Sequence, residues 1–179
     1  MLRLVRERWS RRRRIAAVLL ALLFIWMVLP ESPVIQVRGA TARDWNPASF
    51  WYEPWGRSGV HKGVDIFAPR GTAVVAPTYG IVVFRGNIQM GGNVLLVLGP
   101  KLRFHYFAHL DSASVHAGSL VWNNRVIGFV GDTGNARGKT PHLHYTVLTI
   151  VPYPWRIDRS SQGWKKMFYL DPMDVLHFR

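Results

Sequence analysis

The chain has 179 residues, of which 49% are hydrophobic and only 18% charged, with eight Trp and nine Phe. That is enough for one folded domain with a terminal extension, and it excludes a disordered or low-complexity polymer. The formal net charge is +13 and there is no cysteine, so disulfides, thiolate metal sites and cysteine nucleophiles are all ruled out, and any transition-metal site must use histidine and carboxylate.

The charge is uneven. Residues 1–14 carry seven Arg against one Glu, a net +6 that leaves +7 for the rest of the chain. This basic tail, expected to be cytoplasmic, runs through Arg11-Arg12-Arg13-Arg14 into fifteen uninterrupted apolar residues, Ile15 to Leu29. A basic flank before an apolar run is a membrane-targeting pattern. No small-x-small cleavage site follows directly, so residues 15–30 are expected to form an uncleaved transmembrane signal anchor. That would leave a single-pass protein in the cytoplasmic membrane, with everything after Pro30 on the periplasmic or extracellular side. The helix would span roughly 22 Å at 1.5 Å per residue, so Arg14 would have to snorkel and Trp26 to sit at an interface.

Residues 31–57 are rich in Pro, Trp and Ser and are expected to be a linker whose aromatic end, Trp51-Tyr52-Glu53-Pro54-Trp55-Gly56, borders a groove. Beyond it, short runs rich in Val, Ile, Phe and Tyr predict strands at Val64 to Phe67, Ala73 to Ala76, Gly80 to Phe84, Asn93 to Leu98, Leu102 to Phe107, Arg125 to Val130 and His142 to Ile150. Gly, Pro, Asn and Asp punctuate them. The fold class expected is mainly β, a compact antiparallel sheet or sandwich over 58–150 behind one N-terminal transmembrane helix. The extension over 151–179 holds a surface loop to Gln162 and a short turn at Asp171 to Leu176.

Four pieces concentrate residues that bind metal or move protons: His61-Lys62-Gly63-Val64-Asp65, Tyr106-Phe107-Ala108-His109-Leu110, Gly131-Asp132-Thr133-Gly134 and Pro141-His142-Leu143-His144. In a strand, residues i and i+2 share a face. His142 and His144 can therefore face one cavity while Leu143 packs behind. His61 and Asp65 flank a turn that feeds a strand. A hydrolytic zinc site needs three nitrogen or oxygen ligands and an open position, which two histidines and one carboxylate satisfy.

In that order, the segments HKGVDI, APRGTAVVAP, GIV, GGNV, YFAHL, GDTG and PHLHY resemble the lysostaphin/LytM-type zinc metalloendopeptidases, which cut peptide bridges in bacterial cell walls; the likeness runs from about Gly59 to Val147. The resemblance implies the family's antiparallel β-fold with a groove on the sheet. It implies Zn2+ held by His61, Asp65 and His144, with His109 and His142 flanking the water and the developing oxyanion. Zinc so held lowers the pKa of water toward about 7. Either flanking histidine can accept the proton and return it to the leaving amine, and the sequence leaves open which. Tyr52 is a candidate donor to the oxyanion.

One departure stands out: the family's H-x-H is usually followed by an aromatic residue and Glu, and here Tyr145 is followed by Thr146. His105, four residues before His109, is a candidate supporting residue if both lie in one strand; His116 and His177 have no recognisable partner. The function expected is zinc-dependent hydrolysis of peptidoglycan peptide cross-links, with the peptide stems as partner and the membrane reached through the N-terminal helix. The alternative is a non-catalytic wall-binding or hydrolase-activating domain. No helix-turn-helix, zinc-finger or RNA-binding signature accompanies the charge, so no nucleic-acid partner is expected.

Overall fold

A computed structural model of the chain describes residues 2–29, 31 and 34–175. Nine strands follow one another in chain order: β1 Val64–Phe67, β2 Ala73–Val75, β3 Gly80–Ile88, β4 Gly92–Leu98, β5 Arg103–Ala113, β6 Leu120–Val121, β7 Val126–Val130, β8 His142–Thr149 and β9 Tyr169–Leu170. All pair antiparallel in one sheet, along the path β1-β8-β5-β4-β3-β6, with β9 added beside β8 and β2 joined through β7. The architecture is therefore a single branched sheet rather than two stacked ones.

The branch point is β5. Its first half, through Ala108, pairs with β8, and from Leu110 onward β7 takes that place. The exchange happens at His109, whose φ of +62° lies in the left-handed region that non-glycine residues seldom adopt. A bulge against β4 accompanies it, and such a bulge re-aims a side chain. His105 and His109 consequently do not share a face. His105 is fully buried, with the Tyr145 hydroxyl donating to its Nδ1 at 2.6 Å, while His109 opens into the groove. This overturns the supporting role considered for His105.

Alternation along β8 produces the two-sided character that its sequence suggests. Leu143, Tyr145 and Val147 are fully buried in the core with Ile66, Leu95, Phe107, Leu110 and Ile127, and His142, His144 and Thr146 line the opposite, groove side. Truncating a side chain such as Leu143 to Ala would cost about 2–5 kcal/mol through lost burial and the cavity left behind.

Two glycine-bearing turns meet beneath the groove. A Cβ on Gly92 would lie 2.2 Å from Thr133 Oγ1 and 2.4 Å from the Gly134 nitrogen, and one on Gly134 would lie 2.3 Å from the Gly92 nitrogen. Both residues have positive φ. The GGNV and GDTG segments are thus two turns pressed backbone to backbone, an approach only glycine allows.

The linker is more ordered than a linker need be. Val37 bridges to β2 and Trp45 to β1, and Glu31 pairs with Arg103 behind the sheet. The 151–179 extension contains short helical turns at Pro154–Arg156 and Gly163–Met167, then β9, then α2 at Pro172–Val175; the remainder of the turn expected to Leu176, and His177, lie outside the described residues.

The N-terminal segment is helical, α1, over Leu2–Val28, and the Trp26 indole N–H donates to the Gly99 carbonyl at 2.9 Å. Among the described residues, however, no helix is long and apolar enough to cross a membrane. The expectation of a transmembrane helix is therefore not supported by the structure. Fifteen apolar residues fall short of the roughly 20 needed for a hydrocarbon layer of about 30 Å, and Arg11 to Arg14 occupy the adjoining turn of the same helix.

Candidate metal centre

His61 ends the linker and is clamped there by the backbone. The Trp51 N–H donates to the His61 carbonyl at 2.7 Å, and the His61 N–H donates to the Tyr52 carbonyl at 2.9 Å. The Trp55 ring lies over the imidazole, with centroids 4.1 Å apart. Its Nδ1 is 2.9 Å from the Ser49 carbonyl. A carbonyl only accepts, so the proton sits on Nδ1 and Nε2 turns a lone pair inward.

Asp65 in β1 faces His144 in β8, since the two residues are register partners. Asp65 Oδ1 stands 3.1 Å from His61 Nε2 and 2.8 Å from His144 Nδ1, and those two nitrogens are 3.1 Å apart. Three donor atoms from distant parts of the chain thus converge within 4.8 Å of one another, enough to grip one ion. Burial alone would raise the Asp65 carboxyl, but His144 and His61 beside it hold it far below the usual carboxylate range. Burial pushes His144 down, opposed by Asp65 and aided by the other imidazoles.

The outward nitrogen of His144 completes the set. Nε2 is 3.0 Å from Thr146 Oγ1. With that nitrogen donating to the hydroxyl, as ligation through Nδ1 requires, three lone-pair atoms point at one centre. Such an arrangement repels itself unless a cation occupies the middle. The residues therefore fit a zinc ion: two imidazoles and a carboxylate, each imidazole held in the ligating tautomer by an oxygen on its far side. Thr146 supplies one of these, so the departure from the usual Glu keeps an oxygen in place.

His142 and His109 flank the centre. His142 Nδ1 donates to the Thr140 carbonyl at 2.8 Å and His109 Nδ1 to the Thr133 carbonyl at 2.9 Å. Both leave Nε2 available. The two rings are 5.0 Å apart, and His142 Nε2 is 3.9 Å from Asp65 Oδ2. Burial, then the nearby His144 and His142, push His109 down to about 4, so it is neutral at physiological pH.

These groups open into a cavity of about 840 Å3. Trp55, Pro54 and Gly56 border it, as does Tyr106, which sits edge-on to His144 and which the sequence reading passed over. Its phenol is raised to about 12, chiefly by burial, and stays protonated. Tyr52 is 53% exposed and packs edge-on against Trp55, outside the residues that line the cavity. Trp51 is buried, its indole N–H donating to the Ser161 carbonyl. His116 lies elsewhere, beside Arg85. The sequence signal for the supporting oxygens was weak: Ser49, Thr133 and Thr140 act through backbone carbonyls, which carry no side-chain signature.

Comparison with known proteins gives a consistent answer. A profile of Peptidase family M23 matches residues 59–153, more than half of the chain. The chain is 34% identical over 143 residues to the L-Ala--D-Glu endopeptidase of Bacillus subtilis, an alignment that spans 70% of this chain and 42% of that protein. The catalytic domain of lysostaphin from Staphylococcus simulans superposes with a TM-score of 0.56 at 29% identity, covering 69% of this chain and 85% of that domain. A zinc-containing peptidase from Vibrio cholerae superposes at 0.51 with 30% identity, over 66% of this chain and 36% of the other. The chain thus spans about two-fifths of the length of its Bacillus relative.

Proposed function

This chain belongs to peptidase family M23, and from that premise we propose that it is a zinc-dependent endopeptidase that hydrolyses peptide cross-links of peptidoglycan. The observation that carries the proposal is the inward convergence of His61 Nε2, Asp65 Oδ1 and His144 Nδ1, with His142 and His109 presenting Nε2 beside it. Zinc held by those three residues supplies a Lewis acid that lowers the pKa of water and polarises a peptide carbonyl.

The remaining chemistry belongs to the protein. His142, fixed by Thr140 and the nearer of the two flanking histidines to the Asp65 carboxylate, takes the proton of the attacking water on Nε2 and returns it to the leaving amine. His109, disfavoured as a cation by burial, hands on any proton that reaches it rather than keeping it. Tyr52, packed against the groove residue Trp55, is the candidate donor to the oxyanion. The apolar side of the groove excludes water and strengthens each polar contact made inside it.

A role confined to wall binding has less support, because none of the three ligands or two flanking histidines is missing. We place the domain outside the cytoplasmic membrane, where peptidoglycan lies. The basic and apolar halves of α1 support delivery to that membrane without requiring a span. The test is incubation of the zinc-loaded protein with isolated sacculi. Shortened peptides released without a chelator, and no longer released once one is added, support the proposal; binding without release sinks it. Cell fractionation tests the location.

A further inference from the structure

The groove contains a charge pattern that hydrolysis alone does not use. Among the described residues that line it, Asp65 is the only carboxylate, and that carboxylate is committed to His61 and His144. Against it stand Arg57, Lys62 and Lys139. Among the described residues the ion pairs of Arg and Lys join Arg70 to Asp111 and Asp132, Arg103 to Glu31 and Lys166 to Asp158, so none of the three groove cations is neutralised.

Lys62 is the most informative of them. Its ammonium is half-buried beside the first metal ligand and donates to the carbonyls of Ser58 at 3.1 Å and Val60 at 3.3 Å. It has three N–H groups, so one remains for a ligand. Phe67, Leu96 and Leu148 supply apolar surface in the same groove.

We propose that this groove selects a peptide stem that carries free carboxylates among small apolar residues, in preference to an uncharged glycine bridge. The inference rests on the peptidase reading above. A carboxylate here gains charge-assisted hydrogen bonds and is steered inward by the cationic walls. A glycine bridge has neither the charge to pair with Arg57, Lys62 and Lys139 nor the side chains to cover Phe67 and Leu148.

The experiment compares three peptides of equal length with the zinc-loaded full chain: an acidic cross-linked stem, the same stem with its carboxyls amidated, and pentaglycine. Expected is a kcat/KM on the acidic stem at least about tenfold above the amidated one at low salt, an advantage that shrinks as salt rises. Lys62→Met, and separately Arg57→Ala at an exposed position where folding is not at risk, should lower turnover of the acidic stem more than that of the amidated one, with zinc content unchanged. Equal or faster cleavage of the amidated stem or pentaglycine overturns the selectivity while leaving the peptidase reading intact, as does an equal loss on both stems in the variants. Failure to cut any peptide or intact sacculi overturns both.

Discussion

Two histidine–carboxylate clusters lie on opposite sides of the same β5–β8 pair, and they are built to different ends. On the groove side, Asp65, His61 and His144 turn their lone pairs toward a common centre, and their outer nitrogens are tied to Ser49 and Thr146. Behind the sheet, Glu31 pairs with Arg103 and stands 3.4 Å from His105, whose Nδ1 accepts a hydrogen bond from the Tyr145 hydroxyl. The rear cluster contains its own cation, whereas the front cluster lacks one. A buried carboxylate beside imidazoles therefore does not by itself mark a metal site; the absence of an internal counter-cation does.

The largest effect should come from breaking the front cluster at its charge. Asp65→Ala is expected to abolish stoichiometric zinc binding and all turnover, read by metal analysis of the folded, purified protein. A folded variant that still carries one zinc would remove Asp65 from the ligand set. His142→Ala should retain zinc and lose about 10²- to 10⁴-fold in kcat, the usual worth of a positioned proton-transfer group. Loss of metal in that variant would instead make His142 a ligand.

The rear cluster should respond in stability rather than chemistry. Glu31→Ala leaves the Arg103 guanidinium uncompensated, and should cost about 3–5 kcal/mol in denaturant unfolding. Unchanged stability would show that the pair does not hold the linker to the sheet. Burial works against Glu31, yet His105, Arg103 and Lys101 together keep its carboxyl below the ordinary 4.5. A carboxyl whose folded pKa is depressed contributes stability above its unfolded value and loses it as pH falls through the folded one. Acid titration should therefore weaken the native protein below about pH 4.5, and less so in Glu31→Ala.

The smallest expected change is at the hydroxyl behind the metal ligand. Thr146→Val keeps the shape and removes the acceptor for His144 Nε2, so zinc affinity should fall about 10- to 100-fold, measured by chelator competition. Thr146→Ser should restore it. If valine binds zinc as tightly as threonine, the oxygen at this position does not orient the imidazole.

Much of this comparison was visible in the sequence, and unevenly so. The alternation of β8 and the spacing of His142, His144, His61 and Asp65 are local patterns, and local patterns survive into the fold. β1 has the expected bounds, while β3 and β5 run beyond theirs because neighbouring strands pair with polar residues that propensity marks as turns. β9 lies between the loop expected to Gln162 and the turn expected from Asp171, where no strand was expected, since two residues have no periodicity of their own. The rear cluster was out of reach: Glu31 and Arg103 are 72 positions apart, and nothing near Glu31 announces a partner. The pairing of His105 with His109 failed because the exchange of strands at His109 breaks the alternation. The apolar run of α1 was legible as a helix, whereas a membrane span finds no support among the described residues.

The two pressed turns beneath the groove have a mechanical consequence. Thr133 accepts from the Asn93 N–H, donates its hydroxyl to the Leu110 carbonyl and offers its own carbonyl to His109, while Asn135 and Ala136, two and three residues along, border the cavity. A peptide leaning on that rim pushes on the segment that aims an imidazole, so occupancy and aim are geared together through a joint with no room for slack.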